Sequence, residues 1–124
     1  MAQIRSKNTK PELLVRSMVH AAGFRYRLHQ RSLAGCPDLV FPSKRKAIFV
    51  HGCFWHRHQK PRCKLARMPK SRIEFWRNKL EANKERDKKN VLLLENDGWR
   101  VLIIWECELD DHAKLRRKVV RFLK

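Results

Sequence analysis

Acidic residues are scarce in this chain of 124 residues: 12 Asp and Glu stand against 30 Lys and Arg, a formal net charge of +18. A surface so short of carboxylates repels cationic partners and attracts polyanions. Nucleic acid and an anionic membrane surface both meet that condition. Long apolar runs are missing too. The longest, Val101-Leu102-Ile103-Ile104-Trp105, falls far short of the ~18 residues that a membrane-spanning helix needs. Met1 to Lys10 hold no apolar stretch of the secretory-signal kind, so the expected location is the cytoplasm. There the four cysteines are expected as thiols or metal ligands rather than disulfides. No internal repeat and no low-complexity linker divides the chain. At ~150 residues per domain, the length fits one domain, residues 1–124. Hydrophobic residues make up 43% of it, with four Trp, which excludes a disordered basic tail.

What is present reads as alternating helices and strands. Thr9-Lys10-Pro11-Glu12 is a helix start: a capping Thr, a Pro in the first turn, and a Glu placed to complete a capping box. Leu14, Met18, Ala21 and Ala22 supply its expected inner stripe, and Gly23 its stop. Phe24 to His29 alternates apolar and polar, as a half-buried strand does. Asp38 to Phe41 and Lys46 to His51 are further strands, separated by the turn Pro42-Ser43-Lys44-Arg45, so an antiparallel meander is expected. Ser71-Arg72-Ile73-Glu74 reads as a second capping box, opening a long helix to about Glu95. Trp99 to Cys107 is apolar enough for a central strand covered on both faces. Asp110 or Asp111 caps a last helix whose inner stripe is Leu115, Val119, Phe122 and Leu123. The order α-β-β-β-α-β-α, with a late strand–helix–strand crossover, predicts an α/β sandwich.

Between Gly52 and Arg72 the hydrophobic period disappears. Cys53, His58 and Cys63 fall in this loop, and Cys107 follows the last strand. Four such ligands suit a tetrahedral structural zinc site that pins the loop to the strand. Buried cysteines acting as small hydrophobes are the competing reading. Cys36 reads as a bystander beside a turn. The loop also carries Arg57, Lys60, Arg62, Lys64, Arg67, Lys70 and Arg72, with no acidic residue from 57 to 72. Phe54, Trp55, Phe75 and Trp76 flank these cations, a combination suited to phosphate neutralisation with stacking or wedging at bases. One aromatic of each pair is expected to pack into the core instead.

Scarcity makes the positions of the acids informative. Asp38 sits at a strand start, where a sheet end can hold a metal. Glu12 lies in a helix first turn, where capping alone would explain it. Asp87 shares a helix face with Trp76, Leu80, Asn83, Val91 and Leu94, a costly place for a carboxylate without a partner or an ion. A buried pair with Arg or Lys is the ordinary solution. His51, His56 and His58 cluster close by in sequence. An imidazole near a hard cation can activate water, so with Asp38 the set suggests metal-assisted hydrolysis of nucleic acid.

Ile4-Arg5-Ser6-Lys7-Asn8-Thr9, Gly35-x-Pro37-Asp38, Phe49-Val50-His51-Gly52-Cys53-Phe54-Trp55-His56, Glu74-Phe75-Trp76, Glu85-Arg86-Asp87, Gly98-Trp99-Arg100-Val101-Leu102 and Trp105-Glu106-Cys107 occur in that order. Together they resemble the very short patch repair endonuclease family, from about Ile4 to Leu109. The resemblance implies a restriction-endonuclease-like fold, a mixed central sheet flanked by helices, with a structural zinc loop. It implies magnesium-dependent nicking of one DNA strand 5′ of the thymine in a T:G mismatch, the product of 5-methylcytosine deamination. Asp38 would bind Mg2+, with the main-chain carbonyl of Val50 as a second ligand. His56 would be the general base or proton shuttle, while Glu12, His51 and Asp87 would orient waters around the ion. Cys53, His58, Cys63 and Cys107 would hold Zn2+, and Phe54, Trp55 and Trp76 would wedge into the duplex. The expected partners are mismatched double-stranded DNA and mismatch-repair proteins, and the expected state is a nucleoid-associated monomer. Three departures from the family pattern stand out: Val50 replaces the usual Thr, Cys36 replaces the usual Arg, and the N-terminal arm, residues 1–9, is short. A nuclease of the same fold without T:G preference and a zinc-stabilised DNA-binding module without turnover are the alternatives.

Overall fold

Three strands in an antiparallel meander and a fourth added in parallel make one mixed sheet with helices on both faces. A computed structural model of the chain describes residues 9–53 and 71–124. The elements follow the order α1 (Lys10–Ala21), β1 (Arg27–Leu28), β2 (Leu39–Phe41), β3 (Lys46–His51), α2 (Ile73–Asn96), β4 (Arg100–Trp105) and α3 (His112–Leu123). Short 3-10 turns lie at Pro42–Lys44 and Glu106–Asp110. The expected α/β order stands. Sheet order is β1-β2-β3-β4, with β1–β2 and β2–β3 antiparallel and β3–β4 parallel, which requires the α2 crossover. No helix among the described residues is long and apolar enough to cross a membrane.

Two packed clusters, one on each sheet face, account for the patterning. On one face Val15 and Val19 of α1 and Leu115, Val119 and Leu123 of α3 meet Leu39, Phe41, Ile48 and Ile104. On the other, Leu94 near the end of α2 and Trp99 just before β4 meet Val40, Ala47 and Phe49. Alternate residues of β3 and β4 point to opposite clusters, so both faces of β4 are covered. β4 is nevertheless the last strand of the described sheet rather than a central one. Its apolar run records burial on two faces, which an edge strand between helices also has.

Several local expectations are corrected. The inner stripe of α1 is Glu12, Val15 and Val19, whereas Leu14 is exposed and Met18 and Ala22 are half-buried. Helical spacing admits more than one stripe, and packing against Leu39 and Ile48 selects the one that holds Val15 and Val19. Thr9 does cap α1, accepting from the Glu12 N–H at 3.4 Å. The reciprocal half of the box is replaced by contacts of the Glu12 side chain elsewhere. At α2 the expected Ser71 cap does not form: Arg72 is the N-cap, with φ +55 and no side-chain cap bond. The strand expected from Phe24 shortens to Arg27–Leu28, because only these residues have partners on β2. The α2 face is as expected, with Leu80 and Leu94 buried and Trp76, Asn83, Asp87 and Val91 half-buried. Asp111 is the cap of α3, accepting from the Lys114 N–H at 3.1 Å.

Candidate active site

The site grows from the place where the β2–β3 ladder runs out. Its last pair is Leu39 with Ile48, and by register Pro37 would face Val50. A proline carries no N–H, so it cannot donate to the Val50 carbonyl as a ladder residue would. The Val50 N–H donates to Asp38 Oδ2 at 2.7 Å. Asp38 is thereby fixed at the sheet end by a backbone bond rather than by a flexible partner.

Two more elements converge on it. His29, just past β1, donates its backbone N–H to the Asp38 carbonyl at 3.4 Å and adopts φ +46. Its Nε2 lies 3.0 Å from Glu12 Oε2. Glu12, only 1% exposed, projects from the first turn of α1 and also pairs with Arg16 one turn further along. Its carboxyl is hydrogen-bonded to that of Asp38. One ligand atom each from Glu12, His29 and Asp38 lies within 4.8 Å of the others.

The two carboxyls are pushed in opposite directions. Burial raises Asp38 most, the Val50 N–H opposes it, and the hydrogen bond and charge of Glu12 raise it further, to about 7. Burial also acts upward on Glu12, but the hydrogen bonds of His29 and Asp38 and the Arg16 charge outweigh it, leaving Glu12 below the usual carboxylate value. The two carboxyls are therefore unequal, and Asp38 is the more readily protonated.

From the other sheet face, α2 contributes Asp87, Asn90 and Val91. With Gly35, Cys36, Asp38, Phe49, Val50 and His51 they line a cavity of about 140 Å³. The His51 ring is 5% exposed and set by aromatic neighbours, Trp105 edge-on at 5.2 Å and Phe49 tilted at 5.6 Å. Gly35 has φ +75, and a Cβ there would meet the Asn90 side chain at 3.0 Å, so this turn and α2 touch at the cavity wall.

Of the expected site residues, Asp38, Val50, His51 and Asp87 share this cavity, and Glu12 adjoins it through Asp38. Cys36, read as a bystander, is in fact part of the cavity wall. His29 and Asn90 were not among the expected site residues, and Trp105 entered only through the Trp105-Glu106-Cys107 block. His29 ends an alternating strand, where a polar residue is ordinary. Asn90 follows Asp87 by three positions, and that spacing on an inward face was its only signal.

Cys53 and Cys107 also meet. Cys53 ends the run out of β3, Cys107 follows β4, and parallel pairing of these strands brings the Cys107 N–H to Cys53 Sγ at 3.4 Å. Cys53 is buried and Cys107 half-buried. Trp76 packs edge-on against Phe75 at 5.3 Å, and the Arg72 guanidinium sits 4.3 Å above the Phe75 ring. Phe54, Trp55, His56, Arg57, His58, Lys60, Arg62, Cys63, Lys64, Arg67 and Lys70 lie outside the described residues, as do residues 1–8 of the arm.

Residues 1–62 match the family described as DNA mismatch endonuclease Vsr. A type II nicking enzyme, V.XorIIP, of Xanthomonas oryzae pv. oryzae is 49% identical over 123 residues, covering 99% of this chain and 88% of the relative. A second, V.NmeAIP of Neisseria meningitidis serogroup A, is 42% identical over 124 residues, 100% of this chain and 86% of the relative. The DNA mismatch endonuclease Vsr of Escherichia coli K12 is 42% identical over 115 residues, 93% of this chain and 72% of the relative.

Proposed function

The chain belongs to the Vsr family of DNA mismatch endonucleases and is a hydrolase of DNA phosphodiester bonds; from that premise we propose that it nicks one strand 5′ of the thymine at T:G mismatches, using Mg2+ at Asp38. The observation that carries this reading is the convergence of Asp38, Val50, His51 and Asp87 on one small cavity at the sheet end. A purely DNA-binding module has no use for a buried Glu12 set against Asp38 and an imidazole.

The donor set fits a divalent cation. Asp38 offers a carboxylate, and Val50 offers its carbonyl, because N–H and C=O of one extended residue face the same strand edge and the Val50 N–H faces Asp38. Such an ion offsets the charge that builds on the phosphate during hydrolysis and makes water a stronger nucleophile. Val50 serves through its main chain, so replacing the usual Thr keeps the ligand atom. His56 takes the proton from the attacking water. His51, its ring clamped by Trp105 and Phe49, hydrogen-bonds to solvent in the cavity, and Asp87 accepts from solvent on the α2 side. Glu12, beside Asp38, orients water around the ion. These assignments rest on the match to the family and on the shared cavity.

Cys53, His58, Cys63 and Cys107 hold a structural Zn2+, supported by the approach of the Cys107 N–H to Cys53 sulfur. The fold is then restriction-endonuclease-like with a zinc loop. Phe54, Trp55 and Trp76 wedge beside the mismatch, while Arg57 to Arg72 neutralise phosphates. A nicking assay on T:G and C:G duplexes with Mg2+ tests the reading. Preferential nicking of the T:G duplex is expected. Equal rates would leave a nuclease of this fold without mismatch preference, and no nicks would leave a zinc-stabilised binding module.

A further inference from the structure

His29 is absent from the residues to which the family resemblance gives a task, yet it stands beside Asp38. Ligand atoms of Glu12, His29 and Asp38 lie within 4.8 Å of one another. Two metal–ligand bonds of ~2.1 Å span ~4.2 Å across one ion, so the cluster needs little closure to enclose a cation. Three separate elements deliver the groups: the first turn of α1, the residue after β1 and the residue before β2. The backbone holds each one. Glu12 sits in a helix, the His29 N–H donates to the Asp38 carbonyl at 3.4 Å, and Val50 N–H holds Asp38 at 2.7 Å. Asp38 also lines the cavity that contains Val50, His51 and Asp87, so this cluster is continuous with the proposed nuclease site.

Oxygen donors alone suit Mg2+. An added imidazole favours first-row transition ions, and among these Mn2+ is the one best suited to carboxylate-rich sites. We infer that Glu12, His29 and Asp38 form a mixed nitrogen–oxygen cation site, with His29 Nε2 a direct ligand, that takes Mn2+ in preference to Mg2+. The inference rests on Asp38 being the cation-binding carboxylate, and adds to that a ligand and an ion. The competing account is that His29 only orients Glu12 through their 3.0 Å contact. The two differ in whether nitrogen touches the ion.

The test uses the whole protein without DNA. Mn2+ is titrated and followed by the electron paramagnetic resonance of the free ion, with Mg2+ as competitor, and the bound ion is examined for 14N coupling. His29→Asn is the variant, since Asn tolerates the positive φ of this position. The wild type is expected to bind Mn2+ at least about tenfold more tightly than Mg2+ and to show nitrogen coupling. In His29→Asn the coupling disappears and Mn2+ affinity falls about tenfold, while Mg2+ affinity changes less than about twofold. Bound Mn2+ without nitrogen coupling in the wild type overturns the site, whether or not the variant folds. Unchanged Mn2+ affinity and coupling in a folded His29→Asn does so as well. Nicking of T:G duplex in Mg2+ is scored separately: an active enzyme lacking the coupling loses only the His29 assignment, whereas a coupled but inactive protein loses the nuclease reading.

Discussion

The Val50 N–H and the Asp38 carboxylate are joined at 2.7 Å, a side chain standing where a strand carbonyl would have been. Pro37, which would face Val50 by register, has no N–H to give the Val50 carbonyl. The carboxylate is therefore held by the backbone of β3.

Asp38→Asn is expected to lower nicking at least about 10³-fold while leaving duplex binding intact, because the lost charge acts on the ion rather than on DNA contacts. The amide oxygen can still accept from Val50, so folding should persist. Nicking rates and gel-shift affinities for the same duplex measure the two effects. A variant that cuts at the parent rate removes Asp38 from the chemistry.

The carboxyl pair gives metal-free protein a specific pH dependence. Asp38 is raised from 3.8 to about 7, so its proton favours the folded state. That contribution is complete below the unfolded value and is lost as pH rises through about 7. Glu12 is shifted the other way and acts only as pH falls below the normal carboxylate range. Thermal midpoints in Mg2+-free buffer should thus decline between pH 5 and pH 7.5, and Asp38→Asn should flatten the decline. Mg2+ affinity should rise across the same interval, since binding expels the proton.

Gly35→Ala brings two penalties together. The residue has φ +75, and its new Cβ would stand 3.0 Å from Asn90 Cβ and Nδ2. The left-handed conformation alone costs about 1–2 kcal/mol for an L-residue. Relief by displacing Asn90 would open the cavity wall. A lower melting temperature together with slower nicking is expected; a melt and a rate matching the parent would show that the contact has no consequence.

Zinc is expected at about one equivalent per chain by elemental analysis. Cys107→Ser should lose both the metal and the cooperative melt, because a zinc ligand here would tie the chain after β3 to the end of β4. Cys36→Ser is the control and should keep the full equivalent. Retention of zinc by Cys107→Ser would refute the ligand set.

Much of the architecture was legible because periodicity and end signals agree locally. The α2 face from Trp76 to Leu94, the β3 strand and the Asp111 cap depend on neighbours in sequence, and each was found where its pattern lay. Errors came where two local readings compete. Leu14 and Val15 both fit a helical stripe, and only the packing against Leu39 and Ile48 selects Val15. Ser71 is as good a cap in sequence as Thr9, but the chain enters α2 through a left-handed Arg72. β4 is apolar on both faces, a pattern shared by central strands and by edge strands sandwiched between helices.

By itself, the sequence determined the kind of chemistry. A surplus of +18 demands a polyanion, and the few acids and clustered His and Cys, in blocks matching one family, leave little room for another use. Tertiary structure alone decided which of these groups meet. Glu12, His29 and Asp38 are distant in sequence and join because β1 and β2 pair while α1 packs across their end. Cys53 and Cys107 join because β3 and β4 run parallel. His29 gives no sign in sequence, since alternation along a strand records which side of the sheet a residue faces and not what lies across from it. Its place within reach of two carboxyls depends on long-range pairing and packing, which local patterns do not encode.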